Sequence, residues 1–303
     1  MKIHNILLPT DFSRLSNLAV PHAVFLCERR DATLHIFHAV VHGGKLEGDE
    51  SRLMELEEDI LRDMEQIAKL RLGRMLTAHD FCDVPLVKAH GRCRAAAPGI
   101  LEYAAQNDID LIVMGSHGRR GGSRLILGGV ADEVIRRATC PVLTVREHKN
   151  GQPLAAVERI LVPIDFSKHS LRALSCAKHL AEIYTARLQL LHVVQQMVLP
   201  EFYTRHGAAD LEFGSDITGA AKEELLRCFD EAAGPNVPVA AHVVAGRAEL
   251  EIVQFAERKA SDIVVIATHG LTGKGDFMIG GVAQKVTRRA PCPVLSIKPP
   301  RLD

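Results

Sequence analysis

Ile6-Leu7-Leu8-Pro9-Thr10-Asp11-Phe12-Ser13 returns later in the chain as Ile160-Leu161-Val162-Pro163-Ile164-Asp165-Phe166-Ser167. A second match lies farther on, where Val113 to Leu143 returns as Val265 to Leu295. Within it His117-Gly118 is answered by His269-Gly270, Gly128-Gly129-Val130-Ala131 by Gly280-Gly281-Val282-Ala283, and Cys140-Pro141-Val142-Leu143 by Cys292-Pro293-Val294-Leu295. The offset is 154 residues at the front and 152 at the back, so order and spacing both persist. A period this long exceeds any solenoid repeat, and each copy reads as a whole domain. A chain of 303 residues is also the length of two domains, each large enough to bury a core. The domains are placed at 1–148 and 157–303, with 149–156 as linker. The join, Glu147-His148-Lys149-Asn150-Gly151-Gln152-Pro153, is polar and carries Gly and Pro, as a linker should.

Working outward from the repeated octapeptide, each copy alternates strands with helices. The apolar runs Ile3–Leu8 and Ile160–Ile164 read as buried strands. Ser13 and Ser167 are placed to cap the helices that follow, which run to about Cys27 and about Tyr184. Second strands are expected at Thr33–Val40 and Arg187–Val194, and polar, variable stretches at His42–Glu50 and Gln195–Asp216. Long amphipathic helices are expected at about Arg52–Arg71 and Ala220–Ala232, and third strands at Pro85–Ala89 and Pro238–Val244. Fourth strands at Asp110–Met114 and Asp262–Ala267 lead into glycine-bearing loops and a further helix. Last strands fall at Val142–Val145 and Val294–Ile297. Continuous apolar strands alternating with helices imply an α/β fold: a doubly wound parallel sheet, covered on both faces, in each copy. Such sheets bind ligands at the carboxyl ends of their strands.

Composition narrows the function classes. Lys plus Arg equals Asp plus Glu at 37 each, so no basic surface marks a nucleic-acid binder. The apolar run at the N-terminus is too short for a signal peptide, and no stretch approaches the length of a membrane span, so a cytoplasmic protein is expected. Seven cysteines, an odd number with no C-x-x-C pair, read as buried thiols rather than a disulfide framework or a zinc site. Ser13 and Ser167 lack a G-x-S-x-G elbow, which argues against a hydrolase triad.

The loop after the fourth strand carries the most specific pattern. It reads Met114-Gly115-Ser116-His117-Gly118, nine residues, then Gly128-Gly129-Val130. No Walker A loop and no G-x-G-x-x-G occurs. Glycines still let main-chain N–H groups approach a ligand, and Gly128-Gly129 stand where a helix begins, a setting that favours an anion. Arg119, Arg120 and Arg124 add positive charge nearby.

The opening strand with Pro-Thr-Asp, the G-x-x-G-x(9)-G spacing and the closing Cys-Pro-Val-Leu resemble the universal stress protein family, twice over and across nearly the whole chain. The resemblance implies an adenine nucleotide alpha-hydrolase-like fold and ATP, with or without Mg²⁺, as ligand. It places Pro9, Thr10, Asp11 and Ala39 at the adenosine end, and Gly115, Gly118, Gly128 and Gly129 along the phosphates, with Met114, His117 and Val130 beside them. In the second copy the weaker counterparts are Pro163, Asp165, Val193, His269, Gly270, Gly280 and Gly281. There are departures. Gly129 and Gly281 stand where the family motif has Ser or Thr. Ala267 replaces the first glycine of the second copy, Ile164 replaces Thr10, and Asp276 replaces Arg124. ATP is therefore expected mainly in the first copy.

Other readings stay open at this point. The glycines can simply make the turn into the fourth helix. Asp11 and Asp165 can cap a helix, and His117 and His269 can order a loop. His38 and His192 also recur, without a metal-ligand spacing. No residue stands out as a water-activating base with a partner, so any hydrolysis is expected to be slow and no catalytic residue is assigned. The resemblance further implies pairing of the two copies as an intramolecular pseudo-dimer through Pro141–Arg146 and Pro293–Lys298, and the sequence is compatible with a homodimer of whole chains. The expected role is a stress-response sensor or adaptor that binds ATP. The alternative is a nucleotide-independent interaction protein that meets protein, metal or lipid partners through segment 195–216.

Overall fold

The computed structural model describes residues 2–42, 50–79, 81, 84–117, 127–146, 157–194, 215–269 and 280–298. They fall into two compact units, one within Met1–Ala155 and one within Ala156–Pro299. In the first unit the chain runs β1 (Asn5–Pro9), α1 (Arg14–Asn17), α2 (Val20–Arg30), β2 (Thr33–Val41), α3 (Glu50–Ala78), β3 (Leu86–Cys93), α4 (Ala96–Gln106), β4 (Leu111–Gly115), α5 (Gly129–Arg137) and β5 (Val142–Val145). The second unit runs β6 (Arg159–Pro163), α6 (Lys168–Tyr184), β7 (Arg187–Val194), α7 (Ser215–Glu231), β8 (Val239–Ala245), α8 (Ala248–Arg258), β9 (Ile263–Ala267), α9 (Gly281–Arg289) and β10 (Val294–Ile297).

Every strand pair within the first unit is parallel, in the order β3-β2-β1-β4-β5. The chain winds outward from β1 to β3, then crosses back past β1 to lay down β4. The second unit repeats this as β8-β7-β6-β9-β10. The switch in direction falls between β1 and β4, and between β6 and β9, where such sheets open a crevice for ligands. The central strands are apolar on both faces because both are covered. Ile6, Leu7, Leu8, Ile112 and Val113 are fully buried, as are Ile160, Leu161, Val162, Val264 and Val265.

A carboxylate pins the start of each first strand. Asp110 Oδ2 accepts from the N–H groups of His4 (2.7 Å) and Asn5 (3.1 Å), and Asp262 Oδ2 accepts from those of Glu158 (2.9 Å) and Arg159 (2.8 Å). These bonds tie β1 to the chain entering β4, and β6 to the chain entering β9.

Three expectations need correction. The helix expected to run from Ser13 to about Cys27 is broken into α1 and α2. Pro21 sits in the first turn of α2, and a proline inside a continuous helix would clash with the carbonyl four residues back and remove a donor. The second copy has Ser175 at that position, and α6 runs unbroken from Lys168 to Tyr184. The third strand does not stop at Ala89 but continues through His90-Gly91-Arg92 to Cys93. Gly91 passes beneath the Phe37 ring, where an added Cβ would meet the ring edge at 3.3 Å. Arg92 donates to Glu58 at 2.8 and 3.0 Å and to Glu65 at 2.7 Å, clamping the polar end of the strand to α3. The long helix α3 outruns its expected end at Arg71, because Leu72 and Met75 go on facing the interior.

Candidate functional site

Both switch points carry the same turn. After β1, Thr10 N–H donates to Phe37 O (2.9 Å), extending the pairing with β2. Asp11 Oδ1 then accepts from Ser13 N–H (2.9 Å), and Ser13 Oγ caps α1 by accepting from Ser16 N–H (3.1 Å). Between them Phe12 is forced to φ 62°, a left-handed conformation that costs a bulky residue about 1–3 kcal/mol. The second unit repeats each part. Asp165 Oδ1 accepts from Ser167 N–H (3.0 Å), Ser167 Oγ caps α6, and Phe166 also has φ 62°.

A histidine on the next strand braces the strained turn. His38 Nδ1 lies 2.7 Å from Thr10 O, with the Phe12 and His38 ring centroids 4.5 Å apart. His192 Nδ1 lies 2.8 Å from Ile164 O, with Phe166 4.6 Å from the His192 ring. A carbonyl oxygen can only accept, so Nδ1 carries the proton in both. His38 and His192 thus hold backbone, a role that their recurrence signalled without specifying. The units differ at one point: Thr10 Oγ1 accepts from Phe12 N–H (3.0 Å) and lies 3.3 Å from Ser16 Oγ, whereas Ile164 offers no acceptor.

The end of β4 supplies the other wall. Ser116 N–H donates to Val145 O (2.7 Å), and Ser116 O accepts from Gly128 N–H (2.8 Å). One residue therefore fixes the N-terminus of α5 against the end of β4. Thr268 does the same in the second unit, bonding Ile297 O and Gly280 N–H. Sequence reading passed over this pair, although both copies place a hydroxyl residue directly before the loop histidine. Ser116 Oγ lies 3.0 Å from His117 Nδ1, and His117 Nε2 is buried with no hydrogen-bond partner among the described residues. Burial, with Arg146 nearby, holds the His117 pKa below the usual imidazole value, so the ring is neutral at pH 7. In the second unit the His169 ring lies 5.8 Å from that of His269.

The glycines fall into two classes. A Cβ at Gly115 would meet Leu15 O at 2.8 Å and Ser16 Cα at 3.0 Å, so this glycine lets β4 pack against α1. A Cβ on Gly129 would meet nothing within 4 Å, and the same holds for Gly281. Gly128 caps α5 without a side-chain bond, and Gly129 and Val130 are exposed, so the first turn of this nine-residue helix stands open. Pro9 and Met114 are buried strand ends, while Asp11 and Ala39 are half-buried. In the second unit Pro163 is buried, Asp165, Val193 and Gly280 are half-buried, and Gly281 is exposed. Gly118 and Gly270, the basic residues 119, 120 and 124, Asp276 and the linker 149–156 lie outside the described residues. Among the described residues no group of three or more His, Cys, Asp or Glu is placed to hold a metal ion, and no helix is long and apolar enough to cross a membrane. Of the thiols, Cys27 is buried and pushed up to about 12 by burial and by Glu28, which leaves it unreactive.

The sequence model of the universal stress protein family matches this chain twice, over residues 2–146 and 156–298. A universal stress protein of Methanocaldococcus jannaschii is 33% identical over 150 residues, covering 48% of this chain and 82% of its own. Universal stress protein G of Salmonella typhimurium is 31% identical over 146 residues, covering 46% of this chain and 97% of its own. Among solved structures, a universal stress protein from Archaeoglobus fulgidus has a TM-score of 0.60 at 20% identity, covering 99% of this chain and 97% of its own. That likeness is one of fold.

Proposed function

The chain belongs to the universal stress protein family through both of its halves, and from that premise we propose that it is a cytoplasmic stress-response sensor or adaptor that binds ATP, chiefly in the first unit. The observation that supports this most is the open first turn of α5 at the β1/β4 switch point. Gly129 leaves free space at the helix N-terminus, where a phosphate gains from main-chain donors and the dipole. Thr10 and Asp11, which follow β1, and Ala39 on β2 serve the adenosine in this reading. Asp11 is engaged with Ser13 N–H and no catalytic residue is assigned, so binding with at most slow hydrolysis is the proposed activity.

The test exploits that free space. Gly129→Glu is tolerated by the fold, since its Cβ meets nothing and a carboxylate suits a helix N-terminus. It also sets an anion where phosphate is to bind. Calorimetry with Mg²⁺-ATP should show saturable binding by the wild type, weakened at least about tenfold in Gly129→Glu and little changed in Gly281→Glu. Equal binding by all three proteins would remove phosphate from this helix. No binding by the wild type would favour the nucleotide-independent reading through segment 195–216, of which residues 195–214 lie outside the described residues.

We also propose that the two copies pair within one chain through Pro141–Arg146 and Pro293–Lys298. Spin labels at Thr139→Cys and Arg289→Cys, exposed positions shortly before the two strands, should then report a short intramolecular distance, and a separation beyond about 40 Å, far more than neighbouring strands allow, would overturn it.

A further inference from the structure

The helix α3 is amphipathic in the usual way on one side only. Leu61, Ala68, Leu72 and Met75 recur at helical spacing and are buried against the first unit. Arg92 clamps Glu58 and Glu65 beside that inner face. The outer face should then be polar, yet Ile60, Met64, Ile67 and Leu70 stand there at spacings of four, three and three, 46%, 37%, 49% and 66% exposed. Four large apolar side chains in one exposed row are an interaction surface rather than scattered surface residues.

The second unit shows that the fold does not require the C-terminal half of this row. Aligned at their ends, Ala78 and Glu231, α3 and α7 keep the inner face: Leu225 and Cys228 are buried where Leu72 and Met75 are. The outer face diverges, with Ala220 and Glu223 where the first unit has Ile67 and Leu70. Ile217 stands where Met64 does, so what the second unit lacks is the C-terminal half of the row.

Charge beside the row identifies what fits it. Toward the N-terminal half the flanking residues are Asp59 and Asp63, and toward the C-terminal half they are Arg71 and Arg74. A helix that is acidic at one end and basic at the other complements itself when turned end for end. A parallel partner would set like charge on like. In the antiparallel arrangement Ile60 meets Leu70, Met64 meets Ile67, and the aspartates of each copy face the arginines of the other. At 29 residues, α3 is about 43 Å long and offers enough length for such a pairing. We propose that the outer face of α3 is the seat of a two-fold, antiparallel pairing with a second copy of this chain. The patch is small, so the dimer is weak and concentration-dependent.

Sedimentation of the full chain from about 1 to about 500 µM spans the range of such a dimer. The wild type should pass from one chain to two across it, and Ile67→Lys should remain at one. Two charge-reversed chains then test the geometry. Asp59→Lys/Asp63→Lys sets basic residues beside the row at both of its ends, and Arg71→Glu/Arg74→Glu sets acidic residues there at both ends. Each alone should self-associate at least about tenfold more weakly than the wild type, while an equimolar mixture of the two should associate again as the heterodimer. All of these positions are exposed, although Arg71 also lies 5.9 Å over the Phe12 ring, so the circular dichroism and melting transition of each variant are measured alongside. A wild type that stays at one chain throughout would overturn the proposal, as would reversed chains that dimerise as the wild type does or a mixture that fails to associate.

Discussion

Gly115→Val is expected to cost the first unit about 3 kcal/mol, a large share of a domain's stability. The new Cβ would lie 2.8 Å from Leu15 O and 3.0 Å from Ser16 Cα. Both are backbone atoms of α1, and α1 cannot step aside: it is capped by Ser13, and Thr10 Oγ1 lies beside Ser16 Oγ. The second copy supplies the control. Ala267 already carries a Cβ at the equivalent position and is buried, so its unit has made room. Ala267→Gly should therefore cost only about 0.5–1 kcal/mol, the conformational penalty of glycine. Urea unfolding of the full chain, with hydrogen exchange of the β1 and β4 amides to assign the transitions, measures both. An unchanged first-unit transition in Gly115→Val would mean that Gly115 serves a ligand and not the packing.

Acidification should weaken the first unit through His22. This ring on α2 is 2% exposed, and burial lowers its pKa from 6.5 to about 4. A folded-state pKa below the unfolded value means that the unfolded chain takes up the proton first. The stability that the neutral ring contributes is complete above pH 6.5, and it is lost as pH falls from about 6.5 to about 4. The full loss is about 3 kcal/mol for this one residue. The second copy again offers the substitution, since Cys176 stands at the equivalent place. His22→Cys should flatten the fall in the unfolding midpoint between pH 6.5 and 4, whatever it does to stability at neutral pH. A wild-type midpoint that stays level across that range, or a variant with an undiminished slope, would show that His22 does not act this way.

The sheet was legible from the sequence because its central strands are unbroken apolar runs and because the repeat states every element twice. The site was legible as a place: the switch point, the Asp11 turn and the glycines before α5 were all marked by recurrence. Their individual roles were less so. Gly115 and Gly129 look alike as letters, yet one is fixed by a neighbouring helix and the other faces open space. The break at Pro21 was visible in principle, since proline resists a helix interior. The left-handed Phe12 was not, because no local preference puts an aromatic residue there. Local bonds from Asp11 to Ser13 N–H and from Thr10 to Phe12 N–H hold it together with a tertiary one, the His38 ring bonded to Thr10 O. The outward apolar row of α3 was hidden by the amphipathic reading itself, which takes one stripe as the core face and the rest of the helix as polar.

The position of β1 in the middle of its sheet has a consequence during synthesis. Its first partner, β2, pairs Asn5 with Thr33 and emerges almost at once, but its second, β4, pairs Ile6 with Leu111. At about 5–20 residues per second, a ribosome needs about 5–20 s to make the intervening chain. For that interval Ile6-Leu7-Leu8 presents a bare apolar edge, the kind of surface that nascent chains lose to aggregation. Ile160 then waits in the same way for Ile263. Each polypeptide thus passes twice through a window in which a chaperone has something to hold, and slowed translation between β2 and β4 would prolong the first of them.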